Sequence, residues 1–263
     1  MNCKNCNNTL RTDYSFCPDC GGKVVRQRIT NKSLIYDFLE RYFNLDNTFI
    51  TTIKHMLLKP ESVCGGYIDG LRKKYLNPVS MLAITLTLSG LTLFLMKKIA
   101  WESIDFGSVS YVQTSTGGEG KKKIIASTME YSSVLFLAYI PLLAFSSFIF
   151  FNKKNYNFAE HMIISIYGIT AFSIISSVYS VITLIINPQF YIDYALLYSL
   201  VMVLFCIYVA YRNSNDSIKS LFWKIPLYLL FFLICYMGVS MLTVVILMLT
   251  GEISVQDFVP KKH

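Results

Sequence analysis

Charged side chains are scarce in this chain. Only 15% of its 263 residues are Asp, Glu, Lys or Arg, whereas 54% are hydrophobic, and the formal net charge is +8. Soluble globular domains carry about 25% charged residues, and disordered chains are poor in hydrophobic ones. The composition therefore excludes the soluble, fibrous and disordered classes and predicts a membrane protein.

Five segments lack Asp, Glu, Lys, Arg and His altogether, and each is between 18 and 31 residues long. About 20 apolar residues cross a bilayer as a helix, which satisfies its own backbone hydrogen bonds there. We therefore predict an all-α polytopic membrane domain at residues 75–251, with an outer loop at 97–130 and a tail at 252–263. The five predicted spans are 76–96, 131–151, 162–186, 191–211 and 225–250.

The distribution of Lys and Arg predicts the orientation of these spans. With a cytoplasmic N-terminus, 17 of the basic residues fall on the inner side and 7 on the outer side, so we expect the N-terminus inside and the C-terminus outside. Arg72, Lys73 and Lys74 stand directly before the first span. They are candidates for a topological anchor on anionic lipid headgroups. Asn187-Pro188 predicts a tight outer turn between the third and fourth spans.

Four of the seven cysteines form the pattern Cys3-x2-Cys6-x10-Cys17-x2-Cys20. Two CxxC pairs bring four thiolates to one tetrahedral point, which suits one structural Zn²⁺ ion. The alternative is two disulfides, which rarely persist in the reducing compartment where we expect the N-terminus to lie. We therefore predict an N-terminal four-cysteine zinc ribbon at residues 1–28. Its charge is only mildly positive, so nucleic acid is an unlikely ligand and contact with a protein partner is the expected role.

The segment at 29–74 predicts two amphipathic juxtamembrane helices. Apolar residues recur at helical spacing in 31–43, and again from Asp46-Asn47 to Pro60. Such apolar faces must be covered. The two candidates are the membrane interface and the cytoplasmic ends of the transmembrane helices.

Four stretches of this sequence resemble a bacterial membrane-protein family of unknown function. The stretches are Leu45–Thr52, Leu57–Pro60, Tyr67–Pro78 and Asn155–His161. Members of that family join an N-terminal zinc ribbon to a multi-span helical domain. The resemblance thus implies a bacterial inner membrane and this architecture, and it implies no reaction.

Patterns typical of enzymes are not found in the sequence. There is no HExxH motif and no nucleophile elbow, and Leu71 stands where a phosphate loop starting at Gly65 would need its lysine. We therefore expect a protein that is not an enzyme. Glu160 and His161, at the start of the third span, are a possible functional polar pair that could share a proton or bind a cation. The alternative for Glu160 is a role in the first turn of a helix.

Small polar residues follow one another at spacings of three and four in two of the spans. Thr85, Ser89 and Thr92 lie in the first span, and Ser173, Ser176, Ser177, Ser180 and Thr183 in the third. Such residues let helices pack closely, and they can also line a path for a polar solute. Two functions remain open: a scaffold or adaptor that displays the ribbon, and a transporter or lipid-handling protein that uses Glu160, His161 and the polar stripe of the third span.

Overall fold

The computed structural model describes residues 2–22, 24, 47–105 and 117–249. The chain divides into two compact units, Met1–Tyr42 and Phe43–His263. The cysteine motif lies in the first unit and all helices described below lie in the second. The amphipathic helix predicted at 31–43 and the tail at 252–263 fall outside the described residues.

The described part of the second unit is helical, and no strand occurs in the described parts of either unit. We number the α-helices in chain order; a π-helical turn, Met96–Ala100, continues the third of them. The helices are α1 (Asn47–Leu58), α2 (Pro60–Ile68), α3 (Pro78–Leu95), α4 (Gly117–Glu130), α5 (Ser132–Phe150), α6 (Phe158–Ile186), α7 (Pro188–Asp193), α8 (Ala195–Ser214) and α9 (Ile218–Leu249).

Five of these helices are long and apolar enough to cross a membrane: α3 with its π-helical turn, α5, α6, α8 and α9. The sequence predicts the same number. The prediction of a mainly helical chain with five candidate membrane-spanning helices is therefore confirmed.

Helix α6 begins at Phe158, four residues before the span predicted at 162–186. Its start is fixed by a capping box. The Asn157 side chain accepts a hydrogen bond from the Glu160 N–H at 2.9 Å, and the Glu160 carboxylate accepts one from the Asn157 N–H at 2.7 Å. The predicted span starts later because only segments without charged residues or histidine define it, and this first turn contains Glu160 and His161.

Helix α9 also begins earlier than predicted, at Ile218 instead of residue 225. Its first turns contain Lys219 and Lys224, and Lys224 forms an ion pair with Asp216 at 2.7 Å. Pro226 lies inside the helix without ending it. Pro226 is the ninth residue of α9, so its missing N–H removes the hydrogen bond that this position would donate to the carbonyl of Phe222, four residues earlier.

The last 14 residues of the segment predicted as an outer loop at 97–130 form a helix, α4. Ile125 of α4 is buried with Ile104, Leu184 and Ile192 in a small core beyond the end of α3. The helix forms because its apolar residues find this cover, which the composition of the segment does not reveal. Residues 106–116 of the expected loop lie outside the described part of the chain.

The turn predicted at Asn187-Pro188 is a short helix, α7. Asn187 ends α6, and its side chain accepts a hydrogen bond from the Gln189 N–H at 3.1 Å. Pro188 occupies the first position of α7, where its missing N–H has no helical partner to lose. The third and fourth predicted spans are therefore joined by one and a half helical turns.

Helix α6 lies at the centre of the membrane domain and packs against α3, α5 and α8, while α9 packs on α5. Gly168 lies close to α8, because a Cβ atom there would be 3.5 Å from the Cys206 sulfur. Cys206 is buried and acts as a small packing residue.

Helices α1 and α2 pack on the ends of the membrane helices. Their buried residues share one core with the starts of α3 and α6 and with the last turns of α8. The helix ends cover Met56 and part of Phe49 and Ile53, whereas Ile50 and Leu57 of the same segment are exposed. The core consists of Met56, Val63, Cys64, Tyr75, Leu76, Met81, Ile84, Ile164, Tyr167, Ala171, Ile174 and Val209.

The backbone of Leu76 joins three of these elements. Its N–H donates to the Thr52 hydroxyl of α1 at 2.9 Å, and its carbonyl accepts from the Tyr167 hydroxyl of α6 at 2.7 Å. All three residues are buried. The segment that enters the first span is thus held between a juxtamembrane helix and the central helix.

An ion pair fixes α2 against α8. Arg212 donates two hydrogen bonds to the Glu61 carboxylate, one from each of two guanidinium nitrogens. Burial acts to raise the pKa of Glu61, but these hydrogen bonds and the charge of Arg212 outweigh it and lower the pKa. The carboxylate therefore stays ionised and paired at neutral pH. Beside it, the Tyr208 hydroxyl donates to the Leu57 carbonyl at 3.2 Å.

Replacing Tyr167 by Phe should lower the stability of the membrane domain by about 1–3 kcal/mol, because it leaves the buried Leu76 carbonyl without its partner. Thermal unfolding of the purified chain in detergent measures the loss. The control is Tyr179→Phe, which removes the same atom from an exposed side chain of the same helix. Equal melting temperatures for the two variants would contradict the assigned role of the Leu76 contact.

Candidate functional site

The four motif cysteines come together in the first unit. The Sγ atoms of Cys3, Cys6, Cys17 and Cys20 all lie within 4.8 Å of one another. The Cys3–Cys20 and Cys6–Cys17 sulfur distances are 3.7 and 3.5 Å. Four sulfurs at about 2.3 Å from one tetrahedral metal ion are about 3.8 Å apart. The four cysteines can therefore hold a single metal ion, and their spacing is far from the roughly 2.05 Å of a disulfide.

The two CxxC segments have the same backbone structure. In the first, the Cys3 N–H donates to the Asn8 carbonyl and the Asn7 N–H donates to the Cys3 carbonyl. In the second, Cys17 makes the corresponding bonds with Gly22 and Gly21. Each segment thus turns back on its first cysteine and brings both of its sulfurs to the same side.

Asn7 is a site residue that the sequence analysis misses. It has φ +59° and stands one residue after Cys6, as Gly21 with φ +68° stands one residue after Cys20. Asparagine is enriched among the residues that adopt this left-handed conformation, because its side chain can bond locally. The sequence therefore contains an indication of this role, because Asn7 occupies the position in the first segment that Gly21 occupies in the second.

The surroundings of Cys20 favour its thiolate, whereas hydrogen bonds with the neighbouring thiols act to raise the pKa of Cys6. Hydrogen bonds from the Asn5 side chain and from the Gly22 backbone lower the pKa of the Cys20 thiol to about 6. Cys3 and Cys17 are buried together with Leu10, while Cys6 and Cys20 are exposed. Among the described residues of the unit, this small core holds only a few apolar side chains, so a bound metal ion would supply much of its folding energy.

Arg72, Lys73 and Lys74 lie in the exposed turn between α2 and α3. The Arg72 guanidinium lies 5.8 Å from the ring centre of Tyr67, and the Lys74 ammonium lies 5.4 Å from that of Tyr75. These rings hold the side chains close to the start of the first span. All three cations are exposed, directly before the start of the first span.

Glu160 and His161 have different partners. The Glu160 carboxylate belongs to the capping box of α6, which is the helix-start role that the sequence left open. His161 is 1% exposed, and its Nδ1 lies 2.8 Å from the Ser147 hydroxyl of α5. Its Nε2 is buried without a hydrogen-bond partner in the described part of the chain. The histidine therefore joins α5 to α6, and it does not share a proton with the neighbouring glutamate.

The polar residues of the first and third spans face one cavity. Of the eight, all except Ser176 line a space of about 390 Å³. It lies at the end of the domain near α7, remote from α1 and α2.

Cys64 is buried in α2, and its sulfur lies 4.0 Å from that of Met56. Burial raises the pKa of this thiol, which makes it a packing residue and a poor nucleophile.

Residues 46–90 match the model of a family described as a protein of unknown function, DUF3667. The match covers α1, α2, the basic turn and most of α3, which is the part of the chain that docks on α6 and α8. It includes nearly all of the first three stretches on which the resemblance was based. Neither the curated proteins nor the solved structures contain a match to this chain.

The chain should bind one metal ion per molecule, and Cys17→Ser should abolish that binding, because a buried ligand is lost from a set of four. Elemental analysis of the purified protein measures the metal content. The matched control is Cys235→Ser, which lies in α9 far along the chain from the motif and should keep the metal. A full equivalent of metal in the Cys17 variant would refute the assignment of this cysteine.

Proposed function

We propose that this protein is a membrane-anchored adaptor, in which a zinc ribbon at residues 1–28 contacts a protein partner and the five-helix domain holds it at the membrane. The observation that carries the proposal is the set of four sulfur ligands. Four ligands complete a tetrahedral ion and leave no position for water or substrate. Such a site stabilises the fold of the ribbon, and the ribbon then functions through contacts that its surface makes with a partner.

Zinc is the metal that we propose for this site. Four thiolates in a tetrahedron suit Zn²⁺, which has no redox chemistry and serves as a structural ion in many small domains. Iron is the main competitor for such a ligand set. The two are distinguished by elemental analysis and by the colour of an iron–thiolate centre.

The surface of the cysteine unit supports protein contact. Phe16 lies between the two CxxC segments and is 60% exposed. Large exposed aromatic side chains are enriched where proteins bind each other. Residues 1–28 contain five basic residues against two acidic ones, a mildly positive charge that falls short of a nucleic-acid-binding surface and favours a protein as the partner.

The orientation that we propose has the N-terminus in the cytoplasm of a bacterial cell and the C-terminus outside. It is supported by the excess of Lys and Arg on that side and by the exposed cations of the turn at residues 72–74. A cytoplasmic ribbon would meet a reducing environment, in which free thiolates stay available for a metal.

Replacing Phe16 by Ala should remove the partner without removing the metal, because the side chain is exposed and is not a ligand. The measurement is quantitative mass spectrometry of the proteins that purify with the intact chain after cross-linking in native membranes. A true partner should fall about tenfold, which corresponds to the loss of one aromatic contact residue.

The matched control is Thr12→Ala, an exposed position of the same unit. It should keep both partner and metal. The adaptor proposal is refuted if the same proteins, at the same levels, purify with both variants and with a chain that lacks residues 1–28.

Reporter fusions test the orientation. Alkaline phosphatase, which folds only outside the cytoplasm, should be active when fused after Asp193 and inactive when fused after Asp216, because α8 separates the two sites. Green fluorescent protein should give the opposite pattern. Phosphatase activity at Asp216 alone would reverse the proposed topology.

A further inference from the structure

Helix α1 is apolar on two sides, and the membrane helices cover only one of them. Met56 is buried in the core shared with α3, α6 and α8, and Ile53 packs against that core. On the other side, Ile50, Leu57 and Leu58 are 66%, 46% and 59% exposed. Spacings of seven and eight residues bring these three side chains into one stripe along the helix. Large apolar side chains that are exposed together mark a surface that something else covers.

Two hydrogen bonds fix the level of α1 along the membrane helices. The Thr52 hydroxyl accepts from the N–H of Leu76 at 2.9 Å, and Leu76 stands two residues before α3 begins. The Leu57 carbonyl accepts from the hydroxyl of Tyr208, six residues before the end of α8. The start of a span is where the hydrocarbon core of a bilayer meets its headgroup layer. The exposed stripe of α1 therefore lies at the level of the membrane interface, beside helices that are long enough to span.

The segment that contains this stripe is strongly basic. Of the two carboxylates at residues 47–76, Glu61 is paired with Arg212 and Asp69 is exposed. The Lys and Arg side chains of the segment outnumber them and are all exposed: Lys54, Lys59, Arg72, Lys73 and Lys74. Lys54 belongs to the stripe itself, because it lies one helical turn from Ile50 and one from Leu58. The exposed charge of the segment is therefore predominantly positive.

Contacts of Tyr75 hold the basic turn against α1. Its hydroxyl lies 2.9 Å from Nδ1 of His55 in α1, and the two rings meet edge to face. The Lys74 ammonium lies 5.4 Å from the centre of the same tyrosine ring. Helix α1 and the turn at residues 72–74 are thus held together where the first span begins.

We propose that α1 is an interfacial helix: its exposed stripe lies among the upper acyl chains of the bilayer, and its lysines and the turn at 72–74 bind anionic phospholipid headgroups. Helices of this kind combine an apolar contact with electrostatic attraction to anionic lipid. Lys54 contributes to both, because its stem covers apolar surface while its ammonium reaches the headgroups. The two covers that the sequence allows for this segment, the helix ends and the membrane interface, then each cover one side of α1.

The charge of the segment favours lipid over protein as the cover of the stripe. A second copy of the chain would bring the same excess of positive charge to the contact, and like charges at an interface repel. A different protein would have to enter the headgroup layer and displace lipid there. Phospholipid is already present at this level, and its anionic members complement the exposed cations.

Tryptophan fluorescence of the full chain in phospholipid vesicles tests the proposal. The two native tryptophans are replaced by Trp101→Phe and Trp223→Phe, and Leu57→Trp then places one fluorophore on the stripe. Lipids brominated on their acyl chains quench a tryptophan that touches them, whereas iodide quenches one that faces water. We expect strong quenching by brominated lipid and weak quenching by iodide. Thr87→Trp, an exposed position midway along α3, is the reference for a side chain in lipid.

The same fluorophore measures the preference for anionic lipid. Vesicles of phosphatidylcholine contain a minor share of brominated phosphatidylglycerol or, for comparison, of brominated phosphatidylcholine. Phosphatidylglycerol should associate with the stripe about fivefold more strongly, as one engaged cation would give. Lys54→Gln with Lys59→Gln should remove most of this preference. The control pair Lys153→Gln with Lys219→Gln removes exposed cations from other parts of the domain and should leave the preference unchanged.

Ile50→Trp repeats the measurement at the other end of the stripe and keeps the test decisive if Leu57→Trp prevents folding. The proposal is overturned if iodide quenches the tryptophan and brominated lipid does not, since the stripe then faces water. It is also overturned if neither agent quenches it, because protein then covers the stripe, or if the two phospholipids associate equally. None of these outcomes depends on the metal site or on a partner of the cysteine unit, so the adaptor proposal is tested separately.

Discussion

The central helix α6 imposes the main constraint on this fold, because it has to bury polar and apolar side chains together. Thirteen of its 29 residues are buried, and six of them are His, Ser or Thr. Inside a membrane these groups need hydrogen-bond partners. His161 finds one on α5, and Thr170 bonds back to the carbonyl of Ile166. Close packing at Gly168 and the Tyr167 contact to Leu76 then fix α8 and the entry to α3.

Helix α9 differs from α6 in that few of its residues are buried. In α9 only 6% of the most apolar window is buried, and its large aliphatic side chains face outwards nearly all round. Lipid tails are as apolar as these side chains, so their exposure costs little in a bilayer, and hydrophobic burial does not drive the helix against its neighbours. Specific contacts hold it instead, among them the Tyr228 hydroxyl on the Leu143 carbonyl and the ring of Tyr236 stacked on Tyr139.

The number of spans could be predicted from sequence because a bilayer demands long uncharged segments, and few other structures produce them. The ends of the helices could not be found by the same rule. Glu160 and Lys224 lie inside helices, since a capping box and an ion pair satisfy them. Helix α4 shows a second limit, because its apolar residues are too few to be recognised until the packing partners from α6 and α7 are known.

The cysteine cluster and the cavity also differ in how much of their geometry can be predicted from the sequence. The cysteine cluster is local: two short segments, each closed by its own hydrogen bonds, bring four sulfurs together, so the spacing in the sequence contains most of the geometry. The cavity is not local. A row such as Ser173, Ser177 and Ser180 has the same spacing whether its helix touches a neighbour or stands away from it. Residues of α4, α5 and α7 also line the cavity, so it exists only when those helices are assembled with α3 and α6.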